Sequence, residues 1–558
     1  MTVVDPHPLV PTVEDETHET AIVSVRDLQV RFPGADAPAV DGVSFAVAAG
    51  RCVALVGESG SGKSVTARGL LGLSGRGAQI TSTELRYGAI DLRGLRGRGW
   101  RAVRGSGIGL VHQDALVSLD PLRRVGAEVA EGLDGIGSRR ARAAKVEELL
   151  GRVGVPEPRM RAQQRPHELS GGLRQRALIA SAIAGGPRVL IADEPTTALD
   201  VTVQAQIIDL LIDLKTTGTG ILLVSHDLAV VSRIADEILV MNQGVVVERG
   251  APRTILADPQ HPYTRRLIDA TPAEHRRGTR LSTAPLPVLP VRKERPSSDA
   301  TLQSAPVIEA RGLHKTYRAP GGVLTALDDV SFALRRGTTL GVVGESGSGK
   351  STAAQIVLGA LAPDRGEVVF DAKPWSGIPE RERRLRRPRI QSISQDPLSS
   401  FDPRYDVAAV LGEAIAAGAV PRERRRERAE ELLTQVGLTG AVLARRPLDL
   451  SGGQRQRVAI AKALATNPDV LVCDEPVSAL DVSVQAQVLD LLQALQEQLG
   501  VSLLFISHDL GVVRHLAHDI VVMRHGRVVE SGPADDIFAA PAQPYTRELL
   551  AAVPRLLP

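Results

Sequence analysis

The chain has 558 residues, 43% hydrophobic and 23% charged, which suits a folded protein with buried cores and excludes a mainly disordered one. A formal net charge of +3 on 67 basic and 64 acidic side chains gives no global field favouring nucleic acid or an anionic membrane. Its two cysteines, Cys52 and Cys473, each sit in an apolar run, which excludes a disulfide framework or a cysteine zinc site and leaves them as small core residues.

Taken in chain order, residues 1–20 carry acids and prolines where a secretory signal would carry a basic region and an apolar run, and read as a disordered leader. The first half, 21–270, brings an apolar strand, RCVALVG, into the loop VGESGSGKS at 56–64. Its pattern GxxxxGK[ST], between a strand and a helix-like stretch, is a phosphate loop. Gly57, Gly60 and Gly62, with Ser59 and Ser61, let backbone N–H groups approach phosphate oxygens. Lys63 is placed for the β and γ phosphates, and Ser64 for Mg²⁺. A basic run at 93–105 follows, with Trp100 its single aromatic, and reads as a solvated surface or a contact with lipid headgroups rather than a nucleic-acid site.

Gln113 and a helix-like segment at 137–154 come next, then LSGGLRQR at 169–176 ahead of an alanine-rich helix. The buried strand RVLIADEP ends in two acids. Asp193 suits a Mg²⁺ shell, and Glu194 suits polarisation of an attacking water. GILLVSHD is another buried strand, and His226 at its end is placed to contact a γ-phosphate. Continuous apolar strands alternating with helices predict a parallel α/β sheet. HPYTRRL at 261–267 closes the half.

Residues 271–306 hold six prolines and no apolar periodicity, and read as a linker that as a flexible coil would span roughly 30 to 36 Å. The second half, 307–558, then repeats the landmarks in order. VGESGSGKS returns at 343–351, supplying Gly344, Ser346, Gly347, Ser348, Gly349, Lys350 and Ser351. A basic run (381–389), Gln395, a helix-like segment (421–437), LSGGQRQR (450–457), Asp474 with Glu475, His508 and QPYTREL (543–549) complete the set. A lone histidine after a strand is usually structural, but here the arrangement recurs beside a second phosphate loop. No run of 18 apolar residues occurs, so any membrane attachment must come through a partner.

The two LSGG motifs, together with the phosphate loops, resemble the signatures of ATP-binding cassette proteins, and the resemblance covers both halves. It implies an α/β fold of two tandem P-loop NTPase domains, each with a RecA-like core, a small antiparallel β subdomain and a helical subdomain. It implies ATP hydrolysis with Mg²⁺, at two sites shared between facing cassettes. Ser451, Gly452 and Gly453 would complete the site of Lys63, and Ser170, Gly171 and Gly172 that of Lys350. Phe32 and Tyr317 match the aromatic that stacks on adenine, Gln113 and Gln395 the glutamine that joins Mg²⁺ and the transmembrane partner, and Asp200 and Asp481 the aspartate after the catalytic acid. Leu173 departs from the commoner glutamine, present here as Gln454.

The stretch QDPLSSFDPR at 395–404 and the two PYTR motifs resemble the oligopeptide, dipeptide and nickel importer ATPases in their fused form, with Ala115 standing where that pattern has proline. That implies an energy-coupling subunit held at the cytoplasmic face of the cell membrane by two permease subunits, with an extracytoplasmic binding protein delivering a peptide or similar solute. No nucleic-acid partner is expected, and cysteines only at 52 and 473 leave no ligand set for an iron–sulfur cluster. The competing classes are a soluble twin-cassette factor acting on ribosomes or DNA, against which the proline-rich linker and PYTR argue, and a fused sugar-importer ATPase, which would pair one degenerate site with one intact one.

Overall fold

The computed structural model describes residues 21–133, 137–197, 199–287, 305–319, 322–478, 480–554 and 556. The leader expected at 1–20 lies outside them. The chain forms two compact units. The first runs to Ile268 apart from Asp200–Thr202 and includes Pro554 and Leu556; the second holds Asp200–Thr202 and Asp269–Val553.

In the first unit the strands are β1 (Ala21–Arg31), β2 (Val40–Ala48), β3 (Cys52–Val56), β4 (Gln79–Thr81), β5 (Glu84–Tyr87), β6 (Ile90–Asp91), β7 (Ile108–Val111), β8 (Val189–Asp193), β9 (Gly220–Ser225), β10 (Glu237–Asn242) and β11 (Val245–Gly250). The core sheet has the order β11-β10-β3-β9-β8-β7; β10 through β7 are parallel and β11 closes the edge antiparallel. Every residue of β3, β8 and β9 is buried, as uninterrupted apolar runs require when helices cover both faces of a sheet. The smaller sheet, β2-β1-β5-β6 with β4 on β1, is antiparallel.

The second unit repeats this plan with β12 (Pro306–Ala319), β13 (Gly322–Arg335), β14 (Thr339–Val343), β15 (Arg365–Phe370), β16 (Lys373–Pro374), β17 (Ile390–Ile393), β18 (Val470–Asp474), β19 (Ser502–Ile506), β20 (Asp519–Arg524) and β21 (Arg527–Pro533). Its core sheet is β17-β18-β19-β14-β20-β21, again with only the last strand antiparallel, and its small sheet is β13-β12-β15-β16. The expected helical segments form as Arg139–Arg152, capped by the Ser138 hydroxyl, and Arg425–Gln435.

Some side chains of both basic runs are engaged within their own unit. Arg104 donates to the Leu71 carbonyl and lies over the Trp100 ring. Arg386 sits over Phe370 and Trp375, and Arg389 pairs with Asp371 and Asp469. Cys52 and Cys473 are buried in β3 and β18, and burial pushes both thiols up to about 12. No helix among the described residues is long and apolar enough to cross a membrane.

The span expected to be a flexible linker divides. Residues 270–287 belong to the second unit, where Leu281 is buried, and 288–304 lie outside the described residues.

Candidate functional site: two phosphate-loop centres

Parallel strands put their carboxyl ends on one edge, so the order β3-β9-β8 brings three chain positions together there. β3 runs into the phosphate loop, β8 ends at Asp193 and Glu194, and β9 delivers His226. The loop needs glycine for a packing reason: Gly57 has φ 155°, and a Cβ there would run into the Met241 carbonyl. Ser59 and Gly60 are exposed at the loop tip, whereas Ser61 is buried and Gly62 starts the helix Lys63–Gly69.

Lys63 is buried and folds back on its own loop, donating to the carbonyls of Gly57 at 2.8 Å and Glu58 at 2.7 Å. The Ser64 hydroxyl donates to Asp193 at 2.7 Å, and Arg68 pairs with the same carboxylate at 3.4 Å. Glu194 is held at φ 49° by its backbone N–H to the Val224 carbonyl, which aims its side chain across the strand ends. There it meets His226 Nδ1 at 3.4 Å, the Gln113 amide at 2.9 Å and the Thr197 hydroxyl at 2.9 Å. Burial pushes the Glu194 carboxyl up, but the hydrogen bond and charge of His226 outweigh it and hold the group below its ordinary value. His226 moves oppositely: burial disfavours its charge, and the bond to Glu194 more than offsets that, so its pKa is raised.

The second centre repeats the construction. Lys350 donates to the carbonyls of Gly344 at 2.7 Å and Glu345 at 2.8 Å, and burial lowers its pKa. Ser346 and Gly347 are exposed, Gly349 starts the helix Lys350–Val357, and the buried Ser348 hydroxyl has no hydrogen-bond partner among the described residues. Glu475, again at φ 49°, meets His508 Nδ1 at 3.1 Å, with the same opposed shifts. Two details differ. Gln395 donates to the Ser478 hydroxyl at 3.3 Å rather than to the glutamate, and Ser351 reaches Asp474 only at 3.4 Å. Burial, helped by Glu475, raises the Asp474 pKa.

The loops are built to take polyphosphate: each has a cradle that excludes a Cβ and a buried ammonium that donates to backbone carbonyls of its own loop, and in the second loop the buried Ser348 hydroxyl has no hydrogen-bond partner among the described residues. Ser64, Gln113 and Asp193, and likewise Ser351, Gln395 and Asp474, offer hard oxygen donors of the type Mg²⁺ takes. Phe32 is partly buried at the end of β1, whereas Tyr317 on β12 is 37% exposed. Asp481 caps the helix Val482–Leu499, and Asp200 precedes the helix Val201–Thr216.

Each LSGG serine caps a helix. Ser170 accepts from the Leu173 N–H and starts Gly171–Ile183; Ser451 accepts from the Gln454 N–H and starts Gly452–Leu464. Gln454 also takes the Ser451 N–H, closing a capping box that Leu173 cannot make. A Cβ at Gly172 or Gly453 would collide with Val203 or Val484.

Sequence reasoning used PYTR only as a family mark and missed its chemistry. Pro262–Asp269 and Pro544–Ala552 are helices. The Tyr263 hydroxyl accepts the Glu58 N–H of the first phosphate loop at 2.9 Å, and Tyr545 accepts that of Glu345 in the second at 3.3 Å. Burial pushes the Tyr545 phenol up to about 12. A carboxylate anchors each helix start: Glu248 accepts from the N–H groups of Gln260 and His261, Glu530 from those of Ala542 and Gln543. The signal available was the recurrence of the tetrapeptide at the same place in both halves.

Comparison with known proteins matches the model "ABC transporter" at residues 40–197 and 327–478. The chain belongs to the ABC transporter family. The model "Oligopeptide/dipeptide transporter, C-terminal region" matches at 247–293 and 529–558, around both tyrosines. The chain is 44% identical over 554 residues to the peptidoglycan transport ATP-binding protein YejF of Agrobacterium fabrum, covering 96% of this chain and 97% of that one. It is 41% identical over 606 residues to the oligopeptide transport ATP-binding protein OppD of Mycobacterium tuberculosis, covering 96% and 98%. It is 40% identical over 560 residues to the glutathione import ATP-binding protein GsiA of Pectobacterium atrosepticum, covering 96% and 90%. This ABC protein is thus a fused tandem ATP-binding subunit whose ATP hydrolysis is coupled to transport.

Proposed function

We propose that this ABC protein drives uptake of peptides or a similar small peptide-like solute. It docks at the cytoplasmic face of the cell membrane on two permease subunits, which receive solute from an extracytoplasmic binding protein. The observation that carries this reading is the oligopeptide/dipeptide C-terminal region at the end of each half, in a chain similar along nearly its whole length to peptide and glutathione transport subunits.

Within each cassette the geometry supports the following roles. The loop N–H groups and Lys63 or Lys350 bind the phosphates of ATP, with Phe32 or Tyr317 against the base. Ser64, Gln113 and Asp193, and their counterparts Ser351, Gln395 and Asp474, would hold Mg²⁺, which when bound supplies positive charge against the phosphate oxygens. Glu194 and Glu475 stay ionised and accept a hydrogen bond from the attacking water, and His226 and His508 fix each carboxylate's direction.

Changing Glu194 and Glu475 together to Gln removes the charged acceptor and keeps the shape. Turnover is expected to fall by roughly 10² to 10⁴ while ATP binding persists. Hydrolysis retained at the wild-type rate rejects the assignment. Co-purification with permease subunits, and solute uptake lost on deleting this chain, test the transport reading; association with ribosomes instead rejects it.

A further inference from the structure

The two cassettes act as controls for one another, and they differ at one face of the second. In the first cassette Asp209 is 62% exposed and pairs with Arg233 at 3.1 Å on the helix Leu228–Ile234. The corresponding positions in the second are Asp490 and His515, both buried. The segment 270–286 covers them. Asp490 accepts hydrogen bonds from the Leu281 N–H and the Ser282 N–H, both at 2.9 Å, and from the Ser282 hydroxyl at 2.6 Å. Ala270 and Leu281 are buried in the second unit's core, and Leu286 packs against it. Arg277 donates to the Ala517 carbonyl at 3.1 Å, and His515 lies against the Arg276 backbone.

A third difference points to a purpose. Ala229 in the first cassette corresponds to Gly511 in the first turn of the helix Leu510–Leu516. Its φ is ordinary, so the backbone does not demand glycine. A Cβ at Gly511 would instead stand 2.9 Å from the Cβ of Ala273, in the turn Pro272–Glu274. The segment therefore rests on the helix turn that begins at Asp509, next to His508. The Asp509 carboxylate caps that turn through the N–H groups of Gly511 and Val512.

We propose that residues 270–286 are a strap seated on the second cassette, with Asp490 as its latch, and that by pressing on the first turn of Leu510–Leu516 the strap sets the position of His508. Asp490 and Gly511 are positioning residues for the second hydrolytic centre. The inference rests on the reading of His508 given above, and it makes the connection between the halves a working part rather than a tether.

The test uses the full chain, with hydrogen exchange at the Leu281 and Ser282 amides and steady-state ATP hydrolysis. Gly511→Ala installs the sister cassette's own residue, which its equivalent helix accommodates, so the fold is preserved. Exchange at both amides is expected to quicken at least tenfold and kcat to fall at least twofold, with KM for ATP unchanged. Asp490→Ala gives the same pattern, and adding Ala273→Gly to Gly511→Ala restores both readouts. Unchanged exchange, unchanged kcat despite faster exchange, or failure of Ala273→Gly to rescue each overturns the proposal. His508→Ala is run beside them: if it leaves kcat intact, the reading of His508 fails, while the exchange data still test whether the strap is seated.

Discussion

Tyr263 shows how a single side chain joins family membership to chemistry. Its hydroxyl is one hydrogen bond from the loop that takes the phosphates, and the two partners are 205 positions apart in the chain. No periodicity or spacing rule connects residues so distant, which is why the lysines, acids and histidines of the site were legible from local motifs and the tyrosines were not. Glu194 and Glu475 illustrate the legible kind, since two acids ending a buried strand announce themselves, although the positive φ that aims the glutamate emerges only in the fold. Tyr263→Phe deletes the acceptor and keeps the ring. A net hydrogen bond is worth about 0.5–1.5 kcal/mol, so KM for ATP should rise about two- to tenfold with kcat little changed. Steady-state kinetics checks this, and an unchanged KM removes the tyrosine from the phosphate-loop support.

At the scale of elements, the buried strands were readable because both faces of the core sheets are covered and their sequences are continuously apolar. The antiparallel edge strands β11 and β21 were not foreseen, since a half-exposed run such as VVVERG carries little period of either kind. The signature helices show one sequence change redistributing interactions. Leu173 gives up the reciprocal cap that Gln454 makes, and packs instead against the first cassette's core. The PYTR helices differ in how deeply they are latched. Glu248 is 9% exposed where it holds two helix-start N–H groups, whereas the equivalent bonds of Glu530 lie toward solvent. Losing a buried charged acceptor costs about 2–3 kcal/mol, and losing an exposed one much less. Glu248→Ala should therefore lower the urea midpoint of the first cassette more than Glu530→Ala lowers that of the second; equal shifts would refute the difference in burial.

At the scale of the whole molecule, duplication announced two centres of one design, and proline content announced a linker. Composition could not show that Leu281 and Asp490, 209 positions apart, bind one another. Nor did near-identical loops reveal that the two centres are electrostatically unequal. Arg68 stands 3.4 Å from Asp193 in the first, and the corresponding position in the second is Gln355, a residue without charge. Burial and the charge of Glu475 disfavour its ionised form and outweigh the Ser351 hydrogen bond and the Lys350 charge, so Asp474 has a raised pKa. A carboxyl with a raised pKa takes up its proton earlier as pH falls, and a protonated Asp474 is a poor oxygen donor to Mg²⁺. The second centre should therefore lose Mg²⁺-dependent hydrolysis at a higher pH than the first. Two single variants separate them: Glu194→Gln leaves the second centre's own acid in place, and Glu475→Gln leaves the first's. On titration from pH 8 downward at limiting Mg²⁺, the Glu194→Gln chain should show its acid limb at the higher pH, and raising Mg²⁺ should move that limb back toward acid by competition with the proton. Coincident limbs, or limbs indifferent to Mg²⁺, would show that Arg68 and its absence do not set the difference.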